Sequence, residues 1–307
     1  MTTPSISPDN PFQVLIAESN DDPAQLQSRY ETHRTDRNAQ QKAKILDKDF
    51  PGWSIDEILR RLDGPAKEEG YIDPRNCLVI WARPPPHIRD LIAFVQSELK
   101  DVAPSLWTMP PDNLHTTVLE VAHSLTENQI EELIQTLESS KNVTAADISG
   151  YPLNHRTRIL RPMVSFDSAA LALSFVPAAG EGSAGVSEDH DDQYTYHHLR
   201  RDIFDLVRQT GLPVASRYIV PSAHVTIARF INLDGFLINE AESGEVIDPS
   251  QVKVLIDKID RINEILASQY WPQADGSYPK EGEWVVGQDQ ELVIRRGRLW
   301  YGGGQDV

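Results

Sequence analysis

The chain has 307 residues, enough for one large domain or two small ones with a sizeable core. Its hydrophobic content of 40% and charged content of 24% are ordinary for a globular protein, but its formal net charge of -17 is not. So acidic a chain repels a long polyanion unless its basic residues gather on one face, so a small ligand is expected and long duplex DNA or RNA is not.

The single cysteine, Cys77, excludes an internal disulfide and any multi-cysteine metal site. It sits in the apolar run Cys77-Leu78-Val79-Ile80-Trp81 and reads as a buried strand residue rather than a nucleophile. The N-terminus lacks a basic region followed by an apolar run, and no apolar stretch reaches the roughly 18 residues that span a bilayer. No membrane association is expected, and the default location is cytoplasmic or nucleocytoplasmic.

Residues 1–70 are polar and charged, with helical periodicity only in pieces. Ser54 reads as an N-cap for a short helix whose Ile55, Ile58, Leu59 and Leu62 share a face. This region is expected to be a helical extension to a main domain at 71–307. From Asn76 the pattern changes. Leu78 to Ala82 is an apolar run stopped by Pro84-Pro85-Pro86 and predicts a strand; His87 to Leu99 carries Ile88, Leu91, Ile92, Val95 and Leu99 at helical spacing. Then come a strand from Leu114 to Val121 and a helix capped by Thr126. Strands follow at Met163 to Phe166 and Leu171 to Val176. The stretch 178–193 is rich in Gly, Ser, Glu and Asp and predicts an acidic flexible loop. After it the order begins again: a helix through Leu199 to Val207, a strand at Ala223 to Ile231, a helix from Val252 to Leu266, and a last strand at Glu291 to Trp300.

The two halves repeat each other in element order but scarcely in residue identity, except at one place. Leu114-His115-Thr116-Thr117-Val118 matches Ala223-His224-Val225-Thr226-Ile227, and a proline (Pro111, Pro221) precedes each histidine. The histidines lie 109 positions apart, a plausible length for half of a duplicated domain. Residues two apart on a strand share a face, so His115 projects with Thr117 and His224 with Thr226, while Thr116, Val118, Val225 and Ile227 turn into packing. If a pseudo-two-fold axis relates the halves, two imidazoles and two hydroxyls meet in one cleft. That set suits phosphodiester cleavage without a metal. One imidazole takes a proton from the attacking oxygen, the other protonates the departing one, and the hydroxyls donate to the non-bridging oxygens.

His-x-Thr occurs four times. His33-Arg34-Thr35 lies in fully polar surroundings and is set aside. His155-Arg156-Thr157 lies only 40 positions from the first motif, too few for the repeat, and follows a turn residue, Asn154. Basic runs at Arg156, Arg158 and Arg161, at Arg200 and Arg201, and at Arg295, Arg296 and Arg298 either line the cleft or form solvated faces. Tyr218, Trp81 and Tyr301 either stack on a base or pack in the core, and packing is the weightier reading. His190, Asp191, Asp192, His197 and His198 resemble metal ligands in composition only. Their spacing matches no zinc pattern, and adjacent helical residues diverge by about 100°. No metal and no cofactor is expected.

On these motifs the chain resembles the 2H phosphoesterase superfamily, and within it the fungal proteins described as RNA ligase or cyclic nucleotide phosphodiesterase-like. The likeness runs from about Asn76 to Tyr301. It is strongest over Met109-Pro110-Pro111-Asp112-Asn113-Leu114-His115-Thr116-Thr117 and over Ser216 to Thr226. It implies an α+β, bilobal fold: two antiparallel β-sheets, related by a pseudo-two-fold, facing each other around a central cleft with helices outside. It also implies metal-independent attack on a 2′,3′-cyclic phosphate, with His115 and His224 as acid and base and Thr117 and Thr226 holding the phosphate. The expected substrate is a small nucleotide or nucleotide-derived cyclic phosphate. RNA ends or a 2′-5′ RNA junction form one alternative, and non-catalytic nucleotide binding another.

Overall fold

The structure is a computed structural model, and residues 7–181, 192–215, 218–240, 244–278 and 280–307 are described. Helices α1 (Pro11–Glu18) and α2 (Pro23–Ile45) open the chain. Each starts on an Asn or Asp cap followed directly by proline, which loses nothing there because the first-turn N–H has no helical partner. Helix α3 (Glu57–Leu62) is capped by Asp56, whose Oδ1 accepts from the Leu59 N–H at 2.9 Å. Ser54, the expected cap, instead bonds to Ser168 through both its N–H and its hydroxyl. These helices are no loose appendage, since Phe12, Tyr30, Ile45 and Trp53 are buried in the main core.

The body continues through β1 (Cys77–Ala82), α4 (Pro86–Lys100), β2 (Trp107–Thr108), β3 (Thr116–Ala122), α5 (Glu127–Ser139), α6 (Ala145–Asn154), β4 (Thr157–Phe166) and β5 (Ala170–Pro177). Next are α7 (Tyr196–Gln209), β6 (Ala223–Arg229), the hairpin β7 (Leu237–Glu240) and β8 (Gly244–Ile247), α8 (Pro249–Tyr270), β9 (Trp284–Val286), β10 (Val293–Gly297) and β11 (Gln305–Asp306). The acidic loop expected at 178–193 lies mostly outside the described residues.

The architecture is mixed α+β with antiparallel pairing throughout, as the sequence predicts. The separation into two sheets is not as predicted. Nine strands form one sheet in the order β11-β10-β1-β3-β6-β5-β4-β9, with β2 alongside β6. The halves join where β3 meets β6, through the pair Thr116 and Val225. The same edge of β6 takes β2 through Trp107 with Arg229 and Thr108 with Ala228, so β3 and β2 together cover the edge that the second half would otherwise expose. One face packs on helices: the Ile88, Leu91, Ile92, Val95 and Leu99 stripe of α4 is wholly buried, and with α8 it belongs to one continuous core. On β1, Leu78 and Ile80 join that core. Cys77, Val79 and Trp81 point the other way, into a small cluster with Leu299 and Trp300.

Candidate active site

The two His-x-Thr pairs lie on neighbouring strands at the centre of the sheet. His224 and Thr226 sit within β6, and His115 immediately precedes β3. Alternation works as expected. Leu114, Thr116 and Val118 are buried, as are Ala223, Val225 and Ile227, while His115, Thr117, His224 and Thr226 are half-buried on the opposite face. Since Thr116 pairs with Val225 in an antiparallel register, Thr117 stands opposite His224 and His115 opposite Thr226. All four line one cleft of about 310 Å³, with Glu120, Tyr218 and Trp300.

Each strand is bulged just past its motif. On β3, Thr117 pairs with Trp81 but Leu119 with Ile80, so Val118 is an extra residue. On β6, Thr226 pairs with Ala172 but Ala228 with Leu171, so Ile227 is extra. A one-residue bulge switches the alternation. The cleft face therefore gains the fifth residue after each histidine, Glu120 in one half and Arg229 in the other.

The imidazoles are held differently. The His115 ring stacks on Trp81, with centroids 3.6 Å apart and planes 14° from parallel. Its Nδ1 lies 2.6 Å from the Asn113 carbonyl oxygen, which can only accept, so Nδ1 carries the proton and the neutral ring turns a bare Nε2 outward. The Nδ1 of His224 instead meets two hydroxyls, Tyr218 at 2.7 Å and Ser222 at 3.0 Å, each able to donate or accept. Burial pushes His115 down to about 3, opposed by the Asn113 carbonyl and reinforced by Arg83. Burial, then Arg200, Arg37 and Arg229, pushes His224 down to about 4. Burial raises the Tyr218 phenol to about 12, so it stays protonated.

Of the arginines singled out in the sequence, Arg200 matters here without lining the cleft. It is fully buried and donates to the carbonyls of Val118, Val220 and Tyr218, tying the β3 bulge to the segment that leads into β6. Arg158 is buried against Asp192 and Glu283, Arg161 pairs with Glu181, and Arg201 with Asp202. Arg296 and Arg298 pair with Glu131 and Glu127 at the surface. Arg295 pairs with Asp306, and its guanidinium carbon lies 5.4 Å from the Trp81 ring centre. Among the aromatics, Trp81 and Tyr218 serve the histidines directly, whereas the Tyr301 hydroxyl is engaged by Asp56.

His155 ends α6, stacked on Tyr151, and Thr157 is buried, so the third His-x-Thr is structural. His197 is buried, bonded to the Tyr30 hydroxyl and the Phe12 carbonyl; His198 caps its own helix and bonds to Asp21. No group of three or more His, Cys, Asp or Glu suited to a metal occurs among the described residues; His190 and Asp191 lie outside them, as do Ser216 and Arg217.

The remaining copy, set aside for its polar setting, lies on helix α2 rather than on a strand, and its His33, with Arg34 and Arg37, walls a second chamber of about 340 Å³. That chamber shares Tyr218, His224 and Thr226 with the first cleft. Sequence reasoning also missed Glu120 and Arg229, although their equal spacing from the two histidines is visible in the chain.

No protein-family model matches the chain, and no curated protein matches it. Among solved structures it is similar to a conserved protein of unknown function from Agrobacterium tumefaciens, at 12% identity and a TM-score of 0.42, covering 80% of this chain and 91% of that one. Likeness at that level bears on neither family nor activity. No helix among the described residues is long and apolar enough to cross a membrane.

Proposed function

We propose that the protein is a metal-independent phosphodiesterase of the 2H type that hydrolyses 2′,3′-cyclic phosphates of small nucleotides. The observation that carries this reading is the antiparallel pairing of Thr116 with Val225, which sets both His-x-Thr pairs side by side on the open face of one cleft. A pseudo-two-fold relation between the halves is supported by the four-plus-four strand order and by a bulge at the same place in β3 and β6.

His115 acts as the base. Its Nδ1 proton is fixed on the Asn113 carbonyl, so Nε2 is free to take a proton from water as the water oxygen bonds to phosphorus. His224 acts as the acid. Its two hydroxyl neighbours accept from Nδ1 as readily as they donate, so the ring tolerates either charge state. In the free protein both rings are neutral near pH 7. The phosphodiester brings a negative charge between them, which favours the imidazolium form. The protonated His224 gives its Nε2 proton to the departing ribose oxygen as the ring P–O bond breaks. Thr117 and Thr226 donate to the non-bridging oxygens as charge builds there. The products are a ribose hydroxyl and a phosphomonoester, and solvent returns the protons.

The test is turnover of 2′,3′-cyclic nucleotides in excess chelator. His115→Ala and His224→Ala should each lose about 10²–10⁴-fold in kcat. Activity abolished by chelator, or surviving in both variants, overturns the assignment.

A further inference from the structure

The halves present different walls to the same phosphate position. Beside Thr117, β1 supplies the indole of Trp81; at the matching place beside Thr226, β5 supplies Ala172, with Ala170 and Ser174 on the same face. Small side chains where the other half has an indole leave the chamber of about 340 Å³ that runs from His224 to α2. Its charged lining is three arginines against one carboxylate, Asp167, in a chain of net charge -17. Arg34 is committed to Glu31 and to the Arg161 and Ser174 carbonyls. The other two are less bound. Arg37 is exposed and reaches Asp167 at 2.9 Å, a surface pair that yields readily. Arg229 touches Asp56 at 3.4 Å, and its buried Nε has no partner. Arg37 and Arg229 thus bring two lightly committed guanidinium groups to a chamber wall shared with His224 and Thr226, which favours an anion there.

Resting on the phosphodiesterase reading, we infer that this chamber is a subsite for a second phosphoryl group of the substrate, held by Arg229 and Arg37. The preferred substrate is then a nucleoside cyclic phosphate that carries a further phosphate elsewhere on the same molecule. Helix α2, outside the expected phosphoesterase core, supplies half of that grip.

The test compares adenosine 2′,3′-cyclic phosphate with and without a 5′-phosphate, using the full chain and the Arg37→Gln and Arg229→Gln variants. The 5′-phosphate should raise kcat/KM about tenfold or more, chiefly through KM, and the ratio should fall toward one in each variant. Because Arg37 is exposed, its variant keeps the test valid if Arg229→Gln fails to fold. Equal turnover of the two substrates by the unaltered protein overturns the subsite and leaves the phosphodiesterase reading standing. Turnover of neither overturns that reading. The subsite is then judged by inorganic pyrophosphate: weaker binding to Arg37→Gln than to the unaltered protein supports it, and equal binding overturns it.

Discussion

A carbonyl on one imidazole and two hydroxyls on the other give the two histidines different chemical characters. The Asn113 carbonyl fixes one tautomer of His115, whereas Tyr218 and Ser222 let His224 change charge without losing its partners. This asymmetry predicts a leaving-group effect. With a nitrophenyl phosphodiester, whose leaving group needs no proton, His224→Ala should recover most of its lost rate and His115→Ala should not. Measuring kcat for both variants on both substrate types checks it; rescue of His115→Ala alone reverses the roles, and equal rescue contradicts the asymmetry. Trp81 adds to the asymmetry, since its indole lies face to face with the His115 ring and holds it flat.

Among the elements, β3 and β6 carry the two His-x-Thr pairs, and their bulges decide what else faces the cleft. Arg200 on α7 keeps that geometry by bridging the Val118 carbonyl at the first bulge to Tyr218 and Val220 ahead of the second motif. Replacing it with Leu leaves buried carbonyls unpaired and should cost roughly 2–4 kcal/mol. Lys supplies only a point charge and should not restore the bridge. Denaturant unfolding of Arg200→Leu and Arg200→Lys reads this out, and a loss below about 0.5 kcal/mol would mean that Arg200 is not the tie. The strands themselves were legible because β-branched and apolar residues alternate with the histidines and threonines. The bulges were not, since nothing in Thr117-Val118-Leu119-Glu120 announces an extra residue until the partner strand is placed. Helix α2 was hidden for a different reason. It buries Leu26, Tyr30 and Ile45, but between them Gln27 bonds to the Pro177 carbonyl, Arg34 to the Arg161 carbonyl and Asn38 to the Val164 carbonyl. Polar residues set among the apolar ones break up the stripe by which a docked helix is read. The joining of the two halves into one sheet was equally invisible, because it rests on one residue pair between strands far apart in the chain.

At the scale of the whole molecule, the fold holds His115, His197 and His224 neutral, at about 3, 3 and 4, against an unfolded value near 6.5. Below pH 6.5 the unfolded chain binds protons that the folded one refuses. Stability is therefore complete above about pH 6.5 and declines as the pH falls toward 4. The decline approaches about 1.4 kcal/mol per pH unit for each histidine. Urea midpoints from pH 7.5 to 4.5 should show it, with a shallower slope in His224→Gln; a flat profile contradicts the burial of these rings. The larger claim is that the two halves of the chain meet so that their imidazoles address one phosphorus atom. A crystal of the protein with a nucleoside monophosphate product of the proposed reaction tests that most directly. Nε2 of His115 and of His224 should each lie within about 3 Å of an oxygen on the same phosphorus, with the Thr117 and Thr226 hydroxyls on the others. A product bound outside this cleft, or touched by one imidazole only, contradicts it.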